Sequence, residues 1–181
     1  MAIEHPLIQI TDERDIPLRG GTMDEAQLEG LWHRVTGVMV KDSRRGLYLL
    51  QKIAPNPYYN GGKWNLSSTG HVDEGESYED AAIRELTEEM GVTGLELIEF
   101  DYYPHTKEAY RAGKNRIYRR YYKIYTADVD SKELVIAPNE AEVEDTVWMS
   151  SQQLQSMGQL DSPPMTETLL RFVDKELHGG N

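Results

Sequence analysis

The stretch that decides the fold is Gly70-His71-Val72-Asp73-Glu74-Gly75-Glu76-Ser77-Tyr78-Glu79-Asp80-Ala81-Ala82-Ile83-Arg84-Glu85-Leu86-Thr87-Glu88-Glu89-Met90-Gly91-Val92. Its second half predicts a helix over 77–90. Ser77 is a good N-cap, and Asp80 follows three residues later, as in a capping box. Gly91 suits the left-handed residue that ends a helix. A glycine-rich turn therefore leads into a well-capped helix.

Three apolar residues fall on one side of this helix and are expected to face a sheet. They are Ile83, Leu86 and Met90. Glu85, Glu88 and Glu89 are predicted to lie together on the opposite side, where each like-charge pair costs a few tenths of a kcal/mol. Arg84 alone cannot neutralise three carboxylates. A hard divalent cation would turn this repulsion into a binding site, although a solvated acidic face remains an alternative.

The spacing from Gly70 to Val92 matches the Nudix box, and the protein resembles the Nudix hydrolase family over about residues 33–155. A chance match to all specified positions has a probability below about one in a million. The resemblance implies an α/β fold in which a mixed β-sheet is sandwiched between α-helices. We expect one domain over 1–181, with an N-terminal β-hairpin over 5–22 and a C-terminal helix over 163–178.

The resemblance also implies a reaction. Nudix hydrolases use Mg²⁺ or Mn²⁺ to cleave a phosphoanhydride bond, usually in a nucleoside diphosphate linked to another group. Carried over by position, Glu85 and Glu89 are the expected metal ligands, Glu88 shares the site, and the carbonyl of Gly70 adds a backbone oxygen. The metal neutralises diphosphate charge and activates the attacking water.

Further roles follow from position. Arg84 is expected to orient the glutamates, unless it is an ordinary surface ion pair. Glu76 is interpreted as a structural partner where the loop meets the helix. The general base is assigned first to Glu142 and second to Glu140, with the box glutamates, Glu88 among them, also open. Because this loop is crowded with acidic residues, a solvated acidic run is an alternative for any of them.

A second resemblance competes with the first. Leu31-Trp32-His33-Arg34 and Lys63-Trp64-Asn65-Leu66-Ser67-Ser68-Thr69-Gly70-His71 look like isopentenyl-diphosphate isomerases, which share the Nudix fold. Thr69 stands where those isomerases carry a catalytic cysteine, and a threonine hydroxyl cannot replace a thiol in moving protons on carbon. We therefore favour the hydrolase. His33 and His71 are either additional metal contacts or structural hydrogen-bonding residues, and a non-catalytic nucleotide-binding module is the third option.

The basic residues are concentrated in one segment. Residues 106–123 hold seven of the chain's 19 lysines and arginines against one glutamate, a net charge of +6, with tyrosines interleaved. Cations beside aromatic rings suit phosphates and a stacked base. Arg116, Arg119 and Arg120 are the predicted substrate-binding residues. A two-stranded ribbon with merely solvent-facing and packed residues is the alternative.

The composition of the chain limits the chemistry, partners and location that are expected. The 181 residues carry a net charge of −12 and no cysteine, which excludes disulfides and thiolate chemistry and argues against a nucleic acid polymer as partner. No apolar run approaches a membrane span, and the N-terminus does not resemble a signal peptide, so a cytoplasmic location is expected. The expected partner is a small diphosphate, with a homodimer left open.

The other predicted elements follow from periodicity and turn residues. They are strands over 34–40, 47–51, 95–103, 117–128 and 147–149, a helix over 150–157, and a long loop over 54–70.

Overall fold

A computed structural model describes residues 6–55, 60–111, 113–162 and 164–179. This part of the chain forms nine strands and four helices. They are β1 (Ile8–Thr11), β2 (Pro17–Gly21), α1 (Met23–Glu29), β3 (Trp32–Asp42), β4 (Leu47–Ile53), β5 (Trp64–Asn65), β6 (Ser68–His71), α2 (Tyr78–Met90), β7 (Ile98–Arg111), β8 (Lys114–Asp128), β9 (Val143–Ser150), α3 (Ser151–Gly158) and α4 (Glu167–His178). No described helix is long and apolar enough to cross a membrane.

Strand β3 organises the sheet. It pairs antiparallel with β1, β4 and β6 and parallel with β8, while β7 pairs with β8 and β9 pairs with β4. Successive side chains of β3 point to opposite faces. Val38 packs with Leu86 of α2 in one core, and Met39 packs with Phe172 of α4 in the other. The mixed sheet between helices is therefore confirmed.

The N-terminal hairpin is confirmed for β1 and β2, which pair antiparallel; residue 5 lies outside the described residues. The elements predicted from the sequence do not include helix α1. The signal was present, since the Thr22 hydroxyl accepts from the Glu25 N–H while the Glu25 carboxylate accepts from the Thr22 N–H. Gly30 ends this helix at a φ of 66°.

The predicted loop over 54–70 was wrong in its second half, which contains β5 and β6; residues 56–59 lie outside the described residues. Strand β6 pairs with β3 from Val35–His71 to Val38–Ser68. Only Thr69 of its four residues has a strong β-propensity and Gly70 has a low one, so pairing with β3 rather than the local sequence determines the strand.

The observed strand boundaries differ from the predicted ones because pairing with a neighbouring strand sets them. The strand expected over 95–103 is β7, which begins at Ile98 and continues to Arg111, because it forms a long antiparallel ribbon with β8. Strand β9 is likewise longer than the predicted 147–149, since it pairs along β4. The C-terminal helix begins at Glu167 after the N-cap Thr166, not at 163, a residue outside the described ranges.

Candidate active site

The glutamates of α2 do not share one exposed face, contrary to the sequence prediction. Glu89 is buried, with 8% of its surface exposed, and the Glu85 side chain is mostly buried. Glu88 is more than half exposed. The buried side of the helix is centred near the fully buried Ala82, whose small side chain allows close packing. Ile83 therefore lies outside the core, at 41% exposure, while two carboxylates turn inward.

Gly70 makes room for one of these carboxylates. A Cβ atom at Gly70 would lie 1.9 Å from the carboxyl carbon of Glu85 and 2.0 Å from its Oε1. No side chain fits there without moving the glutamate. The glycine of the motif therefore lets the Glu85 carboxylate lie directly against the backbone of β6.

Arg84 ties the turn, the helix and β6 together. Its Nε and Nη2 donate to the two carboxylate oxygens of Glu76, at 3.0 and 2.9 Å. Its Nη1 donates to Glu85 at 2.8 Å and to Glu88 at 3.3 Å, and Nη2 also donates to the backbone oxygen of His71 at 2.9 Å. This arrangement agrees with the orienting role expected for Arg84 and with a structural role for Glu76.

Glu89 is held at the edge of β6. One of its carboxylate oxygens, Oε2, accepts from the backbone N–H of Thr69 at 2.9 Å and from Nε2 of Gln51 at 2.8 Å. Because the Thr69 N–H bonds to this carboxylate, it points away from β3. The Glu89 carboxylate thus lies beside the edge of β6 that does not pair with β3. Sequence reasoning missed Gln51, and a lone glutamine in a strand carries no signal that identifies it.

The two inward carboxyl groups are electrostatically strained. Burial raises the pKa of Glu85 to about 7, although Arg84 opposes the rise. Burial raises the pKa of Glu89 to about 8, against the hydrogen bond from Thr69, and the charge of Glu85 adds to the rise. A divalent cation would relieve both effects by favouring the ionised forms.

The side chains at this site can supply some, but not all, of the ligands of a divalent cation. Within the ranges that the structure describes, no three acidic or histidine side chains stand close enough to hold a metal by themselves. Mg²⁺ is usually bound by one or two carboxylates together with waters and substrate phosphates. Glu85 and Glu89 meet that requirement.

Glu142 lies on an exposed loop that is attached to the end of α2. The Asn139 N–H donates to the backbone oxygen of Glu89 at 2.9 Å, and the Asn139 side chain donates to the Glu142 carboxylate at 2.9 Å. The charge of Glu142 contributes to the raised pKa values of Glu85 and Glu89. Glu142 is therefore within electrostatic reach of both. Its assignment as base, like that of the exposed Glu140, stays a prediction.

The three predicted arginines separate in the structure. Arg116 donates to Asp24 at 2.7 Å and to Gln27 at 3.0 Å, both on α1. Arg119 is exposed on the other face of β8 from Arg120, by strand alternation. Arg120 lies on the α4 side. The contacts of Arg116 favour a structural part, and the substrate roles of all three stay predictions.

Arg120 lines a pocket between the β7–β8 ribbon and α4, with a volume of about 430 Å³. We call it the ribbon pocket. Its lining is mostly tyrosine and charged side chains. These include Tyr103, His105, Lys107, Tyr118, Arg120 and Tyr122 from the ribbon and Glu167, Arg171 and Asp174 from α4.

Two stacked histidines connect this pocket to the glutamates. The rings of His33 and His71 are 5.4 Å apart at 25°. Nε2 of His33 accepts from Nε of Arg120 at 3.3 Å, so Nδ1 carries the proton and donates to the backbone oxygen of Leu31 at 3.0 Å. Burial lowers the pKa of His33 to about 4, and that of His71 also falls. Both imidazoles are neutral near pH 7.

Comparison with known proteins identifies the family. The family model described as the NUDIX domain matches residues 31–169, which is most of the chain. The chain belongs to the Nudix family. It is 28% identical to an isopentenyl-diphosphate Delta-isomerase of Photobacterium profundum over 98% of both chains. It is 27% identical to an uncharacterized Nudix hydrolase of Clostridium acetobutylicum, over 98% of this chain and 78% of that one.

A solved structure supports the fold. A crystal structure from Deinococcus radiodurans aligns with this Nudix protein at a TM-score of 0.70 and 18% identity, covering 93% of this chain and 97% of the other. The α/β sandwich expected from the motif is thereby confirmed, at an identity that speaks for the fold alone.

In this Nudix protein, Thr69 stands where isopentenyl-diphosphate isomerases are expected to carry a catalytic cysteine, and its side chain is hydrogen-bonded. The hydroxyl of Thr69 accepts from Nδ2 of Asn65 at 2.8 Å, and the Asn65 carbonyl oxygen accepts from the Thr166 hydroxyl at 2.7 Å. The Thr69 side chain therefore takes part in a hydrogen-bonded chain that reaches the start of α4.

Proposed function

We propose that this Nudix protein uses Mg²⁺ or Mn²⁺ to hydrolyse a phosphoanhydride bond in a small substrate, a nucleoside diphosphate linked to another group. The carrying observation is the meeting of Glu85 and Glu89 beside Gly70, two largely buried carboxyl groups whose pKa values are raised. Such a pair is destabilising for the protein alone and becomes favourable with a divalent cation.

The residues have distinct roles in this proposal. Glu85 and Glu89 would hold the cation, with the Gly70 carbonyl and Glu88 as further oxygen donors. When bound, the cation neutralises diphosphate charge and lowers the pKa of water. Arg84 keeps the Glu85 carboxylate in position through the 2.8 Å hydrogen bond and fixes it against β6 through the His71 carbonyl.

Glu142 is the proposed proton acceptor for the attacking water. Its loop is fixed to the backbone oxygen of Glu89 through Asn139, so base and ligand are held by one segment. A carboxylate within reach of the water can take its proton as the phosphorus–oxygen bond forms. Glu140 and Glu88 are the alternatives. Arg120 is the proposed contact for the substrate beyond the cleaved bond.

The direct test is incubation with Mg²⁺ or Mn²⁺ and a panel of nucleotide sugars, dinucleotides, nucleoside di- and triphosphates, and isoprenoid diphosphates. We expect cleavage of at least one nucleoside diphosphate derivative and loss of more than about 100-fold in kcat for Glu89→Gln. Cleavage by that variant at the wild-type rate contradicts the proposal. Tight nucleotide binding with no turnover under either metal identifies a binding module instead.

An isomerase is the second candidate, because the relative from Photobacterium profundum that matches over almost the whole chain bears that name. Against it stands Thr69, whose hydroxyl is already an acceptor for Asn65 and has no thiol acidity. Isomerisation predicts that isopentenyl and dimethylallyl diphosphates interconvert without release of phosphate. Absence of exchange in deuterated water removes this candidate.

A further inference from the structure

The three side chains that contact the Arg120 guanidinium directly are neutral. Its Nε donates to His33 at 3.3 Å, its Nη1 donates to the Tyr122 hydroxyl at 3.0 Å, and its Cζ lies 4.7 Å from the ring centre of Tyr118. A guanidinium has five N–H donors. Within the described ranges, the other three have no protein acceptor and no carboxylate pairs with Arg120. A partly buried cation in this state attracts an anion strongly.

Two other cations of the ribbon pocket, Lys107 and Arg171, are paired with carboxylates. Lys107 pairs with Glu167 at the start of α4. Arg171 pairs with Asp101 at 2.8 Å and stacks on a tyrosine ring of the ribbon. Among these three side chains, Arg120 is the one whose charge is unmatched.

Tyr118 provides a second, independent observation. It is only 7% exposed, and its hydroxyl is buried with no hydrogen-bond partner in the described part of the chain. A buried hydroxyl without a partner costs about 1–3 kcal/mol. Tyr118 and Arg120 line the same pocket, so its wall contains both a hydroxyl without a partner and unused guanidinium donors.

The hydrogen bond between Arg120 and His33 favours an anion over a metal ion in the ribbon pocket. Its Nε2 lone pair, which a metal ion would need, is occupied by the Arg120 N–H. A divalent cation would also be repelled by the guanidinium beside it. His33 therefore holds Arg120 in position, and His71 stacks on the His33 ring.

The sheet sets the separation between the two sites. Strands β6, β3 and β8 are adjacent, with Gly70 opposite Thr36 and Arg120 opposite His33. Two strand spacings and three residues of rise put the Cα atoms of Gly70 and Arg120 about 14 Å apart. Glu89 lies at the edge of β6, so a ligand bound there can extend over the α4 side of the sheet.

We propose that the ribbon pocket binds a second anionic group of the substrate, a phosphate or carboxylate carried beyond the diphosphate that is cleaved. Arg120 and the Tyr118 hydroxyl are its donors. This assignment rests on the proposed hydrolase function and narrows its substrate class. It disfavours an isoprenoid diphosphate, whose tail is apolar and uncharged.

Matched ligand pairs test the proposal. Coenzyme A and dephospho-coenzyme A, like NADP and NAD, are diphosphates that differ by one phosphate monoester. For at least one pair, we expect the wild type to show kcat/KM about tenfold or more higher for the phosphorylated member. In Arg120→Gln the ratio should fall to near one, because the variant lacks the guanidinium that is proposed to bind the additional phosphate.

Two variants separate this role from a structural one. Tyr118→Phe removes only the hydroxyl and should lower the ratio several-fold; an unchanged ratio contradicts the part assigned to Tyr118. Arg19→Gln makes the same charge change on the N-terminal hairpin, where Arg19 pairs with Glu25, and should leave the ratio unchanged. Equal kcat/KM for both members of every pair in the wild type overturns the proposal.

Calorimetry in EDTA distinguishes failure of the pocket from failure of the hydrolase. The Kd values of both members are measured on the wild type without turnover. A tenfold preference that Arg120→Gln abolishes supports the pocket even if nothing is hydrolysed, in which case only the hydrolase fails. If inorganic phosphate binds but the two members bind equally, the site is one for a free anion and the substrate assignment is wrong.

Discussion

Replacing Glu89 by glutamine removes an ionisable group from the buried end of α2 and keeps its shape. The glutamine Oε1 can still accept from the Thr69 N–H and from Gln51, which now lie at 2.9 and 2.8 Å from the carboxylate. The variant therefore resembles the protonated protein, and its stability isolates the free energy of keeping this carboxyl group buried.

The magnitude follows from the pKa. Folding raises the pKa of Glu89 from 4.5 to about 8. This displacement of about 3.5 units corresponds to about 5 kcal/mol at high pH and about 4 kcal/mol at pH 8. Because the folded pKa lies above the unfolded one, the wild type is penalised little below pH 4.5 and loses stability as the pH rises toward 8. Without metal, Glu89→Gln should be more stable by about 4 kcal/mol at pH 8.

The assay is thermal and urea unfolding in EDTA from pH 5 to 9, then in Mg²⁺. A gain of about 4 kcal/mol corresponds to a rise in Tm of roughly 10 °C at pH 8. Mg²⁺ should raise the Tm of the wild type and leave that of Glu89→Gln nearly unchanged. Glu88→Gln is the control, because Glu88 is exposed and its removal should change stability by less than about 1 kcal/mol. A stability difference for Glu89→Gln that does not grow with pH refutes the reasoning.

Three further substitutions test the site. Gly70→Ala places a Cβ about 2 Å from the Glu85 carboxylate, so we expect a loss of the Mg²⁺-induced rise in Tm and a kcat about 100-fold lower, with the circular dichroism spectrum retained. Arg84→Lys keeps the charge but loses the fork that binds several acceptors, and should lower kcat about tenfold or more in steady-state assays; an unchanged kcat contradicts the orienting role. Glu142→Gln should lower kcat about 100-fold with little change in KM, whereas Glu140→Gln should not; the reverse result reassigns the base.

The helix and its chemistry could be predicted from the sequence because their determinants are local. Ser77 accepts from the Asp80 N–H, as expected, and Gly91 adopts a φ of 67°. The burial of Glu89 could not be predicted. It depends on the rotation of α2 about its own axis against the sheet. The apolar stripe predicted Ile83 on the buried side, whereas the buried side is centred on the neighbouring Ala82.

The ribbon pocket shows the same limit. Charge counting identified the basic segment that became β7 and β8, but gave equal weight to Arg116 and Arg120. In the structure, Arg116 forms an ion pair with Asp24 on α1, whereas Arg120 donates hydrogen bonds only to neutral side chains among the described residues. That difference depends on which strands become neighbours, and a parallel pairing such as β3 with β8 joins residues 87 positions apart.

Strand β3 also constrains how this protein can diverge. Val38 packs toward α2, while His33, an odd number of residues earlier, holds Arg120 on the opposite face. Inserting or deleting one residue between them would exchange the two faces and separate the glutamates from their glycine in β6. A one-residue change in the length of β3 is therefore expected to disrupt the site unless a β-bulge absorbs it, whereas single substitutions along β7, β8 and α4 can alter the ribbon pocket without moving the glutamates.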